Sequence, residues 1–382
     1  MNILFCYYRP INNRQGGISA VTYTLMQGLN KHGHKCYAVS ILRDEEDSIE
    51  NQYFLPNHTV DENNEENRIW YQNFLEDKQI EVVINQNALQ SSIPEWAILW
   101  SKTKPVKILT VYHNALMPMF SCRKECIKDN KIVKKLGLLP LFDRIWQYMF
   151  RLKYREKFRR SILLSDKVVM LSPNYFSELA WFSGIDVNEK YVSVANPASE
   201  RFNIDLADIT KEKEVVFVGR LEQQKRLDYL LEIWRNVVKT HEDWHLSIVG
   251  EGSLESRLKS QVKNENIKNI TFEGFKDPLE YYKRASIFCM TSEFEGFPGV
   301  LTEGMSCGCV PIVFNSYASA SDIINSDFGI LVKPYDLNEY IKSLTMLMED
   351  KDRLIQMSVK AKERSKAFSL DSVIEQWEKF FI

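Results

Sequence analysis

One rhythm constrains this 382-residue chain more than any other feature: short apolar, β-branched runs alternate with stretches of helical period. ILFCYY, CYAVSI, EVVIN, VKILTVY, DKVVML and YVSVA occupy the first half; EVVFVG, WHLSIVG, NITFEG, SIFCM and VPIVF occupy the second. Helical segments lie between most of them, among them 18–31 and the region around 177–184. Runs that are apolar throughout belong to strands buried on both faces. Strand–helix alternation then predicts parallel sheets with helices on both sides. A chain of this length exceeds what one core usually organises. The expectation is two doubly wound α/β domains facing across a cleft, over residues 1–200 and 210–368, with the polar stretch 203–214 (NIDLADITKEKE) marking the boundary. SLDSVIEQWEKFF reads as a closing helix within 369–382, capped by Ser369 and returning to the first domain. The acidic, asparagine-rich stretch 44–67 reads as a solvated loop.

Composition narrows the function classes. A hydrophobic content of 45% excludes global disorder, and a net charge of −2 gives no bulk attraction to nucleic acid. MNILFCYYRP has no basic lead-in or cleavage site and reads as a first buried strand, so no export signal is expected. No window approaches the ~20 apolar residues of a membrane-spanning helix. Seven cysteines without framework spacing suggest reduced thiols and a cytoplasmic setting. Cys122 with Cys126, and Cys307 with Cys309, lack partners at ligand spacing and read as small thiols, so no metal site is expected.

In open α/β sheets ligands gather at the carboxyl ends of strands. VVFVGRLEQQKRLDYLL places Gly219 at such an end, with Arg220 and Lys225 ahead of a helix. Fork-like guanidinium, point-charge ammonium and helix dipole there suit a diphosphate, although ordinary exposed loop cations fit the pattern as well. SEFEGFPGVLTEGM repeats the arrangement: Glu295 and Gly296 on a loop, Gly299 and Val300 opening a helix, Glu303 in its first turns. A carboxylate at 303 can accept two hydrogen bonds from a vicinal diol; it can equally be an acidic residue favoured near a helix start. Gly16 and Gly17 follow the first strand, and His113 follows KILTVY, a place where structural histidines are also common. Over 123–160, Arg144, Arg151, Lys153, Arg155, Lys157, Arg159 and Arg160 alternate with Ile145, Trp146, Met149, Phe150, Phe158 and, just beyond, Ile162 at helical spacing. That segment suits either an anionic membrane surface or a core-facing stripe with a solvated basic back.

These loops, taken in order, resemble the retaining glycosyltransferases of family 4, also called glycosyl transferases group 1. The likeness rests on the early GG, GRLEQQK, VGEGSLESRL, FEGF and above all EGFPGVLTEGMSCGCVPI, which is similar to that family's E-x7-E motif. It spans nearly the whole chain and is strongest over 215–332. The resemblance implies a GT-B fold of two Rossmann-like domains, the first acceptor-side and the second binding a nucleotide-sugar. It implies that Gly219, Arg220 and Lys225 hold the donor diphosphate, Glu303 the ribose and Glu295 the transferring sugar. Gly296, Phe297, Pro298, Gly299 and Val300 would line the sugar–phosphate pocket. Gly16 and Gly17 would cover the phosphates, and His113 would face the sugar.

Further implications are metal-independent retaining transfer with no cofactor, and a UDP-hexose or UDP-N-acetylhexosamine donor. The acceptor would be a glycan or a polyprenyl-diphosphate-linked sugar in bacterial surface polysaccharide assembly. Contact of Arg155, Lys157, Arg159 and Arg160 with the inner face of the cytoplasmic membrane, or with the acceptor, follows from the same likeness. Three departures stand out: Arg226 where glycine is frequent, which would narrow the pocket or add a third cation, Gly304 where alanine is frequent, and Asn196-Pro197 where Asn-Gly is frequent. A GT-B sugar-nucleotide epimerase and a non-catalytic nucleotide-sugar-binding subunit are the alternatives; a glycoside hydrolase would leave Arg220 and Lys225 without a purpose.

Overall fold

The computed structural model describes residues 1–12, 17–43, 49–59, 61–86, 96–116 and 139–382, with side chains of the last segment from residue 144 onward. It divides into two units, Met1–Ala195 with Val373–Ile382, and Asn196–Ser372. The polar stretch 203–214 lies inside the second unit and leads into its first strand.

The first unit runs β1 (Asn2–Tyr7), α1 (Ile18–Lys31), β2 (Lys35–Ser40), β3 (Gln52–Phe54), α2 (Glu65–Asp77), β4 (Val82–Asn85) and α3 (Trp96–Ser101). It continues through β5 (Lys107–Tyr112), α4 (Leu139–Leu164), β6 (Lys167–Met170), α5 (Phe176–Ser183) and β7 (Tyr191–Ser193). The strands form one sheet in the order β3-β2-β1-β4-β5-β6-β7. Neighbours are parallel, with Ile3 facing Cys36 on one side and Val82 on the other. Ile3, Leu4, Phe5 and Cys6 are all fully buried, which is why β1 is apolar without alternation. On one face Leu4, Cys6 and Val83 pack with Tyr71, Phe74, Trp96 and Trp100. The 44–67 stretch is not a solvated loop throughout, because its half-buried Gln52–Phe54 adds an edge strand to β2. Asn64 then caps α2 by accepting from the Asn67 N–H at 2.9 Å.

The second unit runs β8 (Glu212–Val218), α6 (Leu227–Val237), β9 (His245–Val249), α7 (Glu255–Asn264), β10 (Ile270–Gly274), α8 (Leu279–Arg284) and β11 (Ala285–Met290). After these come α9 (Gly299–Ser306), β12 (Val310–Phe314), α10 (Ala320–Ile323), β13 (Ile330–Val332), α11 (Leu337–Glu349) and α12 (Lys351–Ser365). Its sheet has the order β10-β9-β8-β11-β12-β13, again parallel. α6 buries Leu227, Leu230, Leu231, Trp234 and Val237, an i, i+3, i+4, i+7 stripe against Val215, Phe217 and Ile248. Each such side chain contributes about 1.5–3 kcal/mol by leaving water. A last helix, α13 (Leu370–Glu378), is capped by Ser369, whose hydroxyl accepts from the Ser372 N–H at 3.3 Å. Beyond it, within the first unit, Glu378 Oε1 meets His34 Nε2 at 3.0 Å.

Both sheets reverse their strand order at the same point, between β1 and β4 and between β8 and β11. The carboxyl ends of those strands form the crevice where an open α/β sheet takes a ligand.

Candidate functional site

In the second unit the crevice is built from the loops after β8 and β11, which are tied together. The turn after β9 presses against the turn after β8 so closely that a Cβ at Gly250 would lie 2.1 Å from the Gly219 carbonyl oxygen. Glycine is needed there, which explains the VGEG pattern in backbone terms. Beyond Gly219, the Glu293 N–H donates to the Gln224 carbonyl at 2.8 Å, and the Gln224 amide donates to the Phe294 carbonyl at 2.7 Å. The buried Thr291 hydroxyl bonds the carbonyls of Lys225 and Arg226, each at 3.0 Å. The two loops are thereby held as one surface.

On that surface Lys225 Nζ donates to Glu295 Oε1 at 2.6 Å, and both side chains are largely buried. Arg220 is exposed and makes no ion pair among the described residues. An ammonium has three donors, so Lys225 can keep Glu295 and still offer protons to an anion. The first turn of α9 adds N–H groups that lack intrahelical acceptors, with Phe297 and Pro298 buried beneath it and Gly299 and Val300 half-buried at its start.

Glu303 occupies the next turn of α9, half-buried. Tyr282 donates to the Val300 carbonyl at 3.1 Å, with Glu303 Oε2 at 3.4 Å from the same hydroxyl. Burial pushes the Glu303 carboxyl up to about 7; the Arg201 charge and the Tyr282 hydroxyl pull it down, and Asp277 pushes it up. Arg201 itself holds Asp277 at 2.7 Å. Near pH 7 this carboxyl is poised between an acid and an acceptor of two hydrogen bonds.

Arg226 does not act as a third cation in the pocket. Its backbone is left-handed (φ 47°, ψ 46°), which explains why glycine is frequent at this place. The side chain turns onto Asp228 in a fork of 3.0 and 2.9 Å and lies 3.7 Å over the Tyr229 ring. The left-handed strain costs about 1–2 kcal/mol, and a charge-assisted fork with a stacked guanidinium offsets about as much. Arg226→Gly is therefore expected to shift the urea midpoint by less than the equivalent of about 1 kcal/mol, whereas Arg226→Ala, which keeps the strain and loses the fork, lowers it measurably.

In the first unit, Gly17 caps α1 at φ 74° in exposed backbone; Gly16 lies outside the described residues. His113 follows β5 and is buried, and its Nε2 hydrogen-bonds Gln86 Oε1. Burial lowers its pKa to about 4, so at neutral pH it is an uncharged imidazole suited to orienting a hydroxyl, not to supplying positive charge. Gln86, which sequence reading missed, stands at the carboxyl end of β4, and its buried Nε2 finds no hydrogen-bond partner among the described residues. The signal was a polar residue directly after the apolar run EVVIN. Thr291, Gln224, Tyr282 and Arg201 were missed as well, since their roles depend on loops far apart in sequence.

Arg155, Lys157, Arg159 and Arg160 all lie on α4. Arg155 is exposed, Lys157 and Arg159 are half-buried, and Arg160 pairs with Glu62 at 3.2 Å. Of the cysteines, Cys307 donates to the Phe202 carbonyl at 3.3 Å and Cys309 to the Tyr282 carbonyl at 3.2 Å; Cys122 and Cys126 lie outside the described residues.

Comparison with known proteins adds independent findings. The family model described as glycosyl transferases group 1 matches residues 200–364. The chain is 30% identical over 274 residues to the amylovoran biosynthesis glycosyltransferase AmsD of Erwinia amylovora, covering 65% of this chain and 76% of that one. It is 30% identical over 214 residues, 54% of this chain and 58% of the relative, to the N-acetylgalactosamine-N,N'-diacetylbacillosaminyl-diphospho-undecaprenol 4-alpha-N-acetylgalactosaminyltransferase of Campylobacter jejuni. The chain spans less than two thirds of the length of several other curated relatives it matches. Among solved structures, the pneumococcal O-GlcNAc transferase GtfA in complex with UDP and GlcNAc aligns at TM-score 0.73 and 12% identity, covering 100% of this chain and 98% of that one. The fold is GT-B.

Proposed function

Since the chain belongs to the group 1 glycosyltransferases, we propose that it transfers a sugar from a nucleotide-sugar, with retention at the anomeric carbon, to a glycan or lipid-linked acceptor of bacterial surface polysaccharide assembly. The observation that carries this reading is the convergence of Arg220, Lys225, Glu295, the start of α9 and Glu303 at the switch point of one sheet. Cations and free N–H groups suit a diphosphate, and a carboxylate one turn into the helix suits a ribose diol.

In this reading the bond between the anomeric carbon and the β-phosphate oxygen breaks, and negative charge grows on the leaving diphosphate. Lys225, Arg220 and the N–H groups of α9 meet that charge, so the chain's own cations do what a metal does in other transferases. The acceptor hydroxyl bonds to the anomeric carbon on the face the diphosphate leaves, and its proton passes to the departing phosphate oxygen. Glu295, held by Lys225, accepts from hydroxyls of the transferring sugar. Phe275, 80% exposed just after β10, offers an aromatic face to the nucleobase. A UDP-linked hexose or N-acetylhexosamine is the proposed donor, by analogy with the UDP complex of the pneumococcal enzyme. The Campylobacter relative, named for a diphospho-undecaprenol acceptor, motivates a lipid-linked acceptor at the inner face of the cytoplasmic membrane.

The test is to incubate the chain with UDP- and GDP-sugars and follow the anomeric proton of the first product by NMR. Consumption of a UDP-sugar with release or transfer in the donor's own configuration is the expected result. Inverted product refutes retention, and consumption of GDP-sugars alone refutes the proposed donor. Failure to consume any nucleotide-sugar, with or without acceptor, overturns the reading as a whole.

A further inference from the structure

Two polar side chains are buried at the carboxyl edge of the first unit's sheet, and the sheet itself brings them together. β4 and β5 are parallel neighbours in a register that sets Asn85 opposite Thr110, so the residues beyond each strand, Gln86 and His113, emerge at the same edge. The Gln86 N–H donates to the Cys6 carbonyl at 2.9 Å, continuing the ladder between β1 and β4 where the strand order reverses. The backbone of Gln86 is thus anchored at the switch point. Gln86 is 1% exposed and His113 8%. A carboxamide taken that far out of water needs hydrogen-bond partners to offset its desolvation.

The partner it has is His113, whose Nε2 meets Gln86 Oε1. A carboxamide oxygen only accepts, so the imidazole carries its proton on Nε2. Burial lowers the His113 pKa to about 4, and a neutral ring holds one proton, which leaves Nδ1 as a bare lone pair. Among the described residues Nδ1 makes no hydrogen bond, and neither does Gln86 Nε2. The pair therefore satisfies one donor and one acceptor internally, and keeps an acceptor on the ring and N–H donors on the amide. A hydroxyl, which both donates and accepts, complements such a pair. An anion would meet the Nδ1 lone pair, and a cation the amide hydrogens.

We propose that Gln86 is a positioning residue: its carboxamide oxygen holds His113 as the Nε2–H tautomer, so that Nδ1 accepts a hydrogen bond from a hydroxyl of the transferring sugar and cannot donate one. The proposal rests on the sugar-transfer reading and adds a rule of selection to it. An imidazole that only accepts favours a hydroxyl and disfavours a fluorine or a hydrogen at the same carbon, because a buried lone pair is then left unpaired. Gln86 acts through His113 and need not touch the sugar. With the carboxamide reversed, its NH2 would donate to Nε2, the proton would move to Nδ1, and the preference would invert.

Multiple-bond proton–nitrogen correlation NMR at pH 8, on the full chain carrying nitrogen-labelled histidine, shows which ring nitrogen is protonated. The chain has six histidines, so the signals lost in His113→Asn assign the resonance. A protonated Nε2 and a bare Nδ1 are expected in the wild type. A shift toward the other tautomer is expected in Gln86→Met, which is close in size and offers no carbonyl. Isothermal titration then compares the UDP-hexose or UDP-N-acetylhexosamine that the wild type binds with its monodeoxyfluoro analogues, in which fluorine replaces one hydroxyl at a time. One analogue should bind the wild type about tenfold or more weakly than the parent, and that penalty should shrink to about threefold or less in Gln86→Met. A proton on Nδ1 in the wild type overturns the proposal. So does a folded Gln86→Met with an unchanged tautomer or an undiminished penalty, since the glutamine then serves the fold alone. Equal wild-type affinity for the parent and every analogue overturns it too, and the wild-type measurements decide even where Gln86→Met does not fold. If no nucleotide-sugar binds while the tautomer behaves as expected, the sugar-transfer reading fails and control of the His113 proton by Gln86 stands.

Discussion

Lys225→Ala should reduce kcat/KM for sugar transfer by about 10²–10³-fold, the scale on which a preorganised donor to a developing oxyanion contributes. The same change should also destabilise the second unit. Lys225 Nζ is bonded to Glu295 at 2.6 Å with both side chains largely buried, so removing the lysine takes the compensating charge from a buried carboxylate. Removing one partner of a buried pair costs about 3–5 kcal/mol, whereas replacing both is far milder. The two effects separate in a double-mutant cycle. Lys225→Met with Glu295→Gln should regain most of the stability lost by Lys225→Ala, read from urea unfolding, while transfer stays at least 10²-fold down. Recovery of both together would mean that the lysine serves the fold alone. Wild-type turnover in either variant would remove the pair from the site.

Glu303→Gln should weaken nucleotide-sugar binding by about tenfold to a hundredfold at pH 8, because an amide accepts only one of the two diol protons well. Its diagnostic effect is on pH. Burial holds the Glu303 carboxyl up at about 7, and a ribose diol needs it ionised. Affinity in the wild type should therefore rise by up to about tenfold per unit as pH increases toward 7 and level off near 8, while the Gln variant stays flat. The ligand-free protein should respond with the opposite sign. A carboxyl whose folded pKa exceeds its unfolded value stabilises fully below the unfolded value, and that contribution is lost as pH rises through 7. Calorimetric Tm between pH 5 and 8 and titrations with a UDP-sugar, whose diphosphate diester does not titrate there, read the two trends. Parallel trends, or a pH dependence that survives in Glu303→Gln, would contradict the role.

Much of the fold was legible because parallel strands buried on both faces leave unbroken apolar runs. ILFCYY, EVVFVG and SIFCM correspond to β1, β8 and β11, and 18–31 corresponds to α1. What escaped was one short edge strand in each sheet, β3 and β13. Gln52–Phe54 is half-buried and sits in a polar stretch, and Ile330–Val332 has only its last residue buried, so neither shows a long apolar run. Positions around the site were readable from strand ends, but not the partnerships. Nothing in GRLEQQK and SEFEG states that Lys225 and Glu295 pair, because the contact depends on β8 and β11 lying side by side. Arg226 illustrates the limit most clearly: its identity suggested another phosphate cation, while its left-handed backbone and Asp228 turn the guanidinium aside. Likewise α4 showed its basic residues in sequence, yet which apolar residues face outward depends on the packing of Phe158 and Ile162.

The most direct test of the donor site is isothermal titration of a UDP-sugar at pH 8 into the wild type, into Lys225→Met with Glu295→Gln, and into Glu303→Gln. Saturable one-site binding by the wild type, weakened at least tenfold in both variants that remain folded, is the predicted result. Equal affinity in all three proteins, or no heat with UDP- or GDP-sugars at all, would contradict the assignment of Lys225, Glu295 and Glu303 to a nucleotide-sugar.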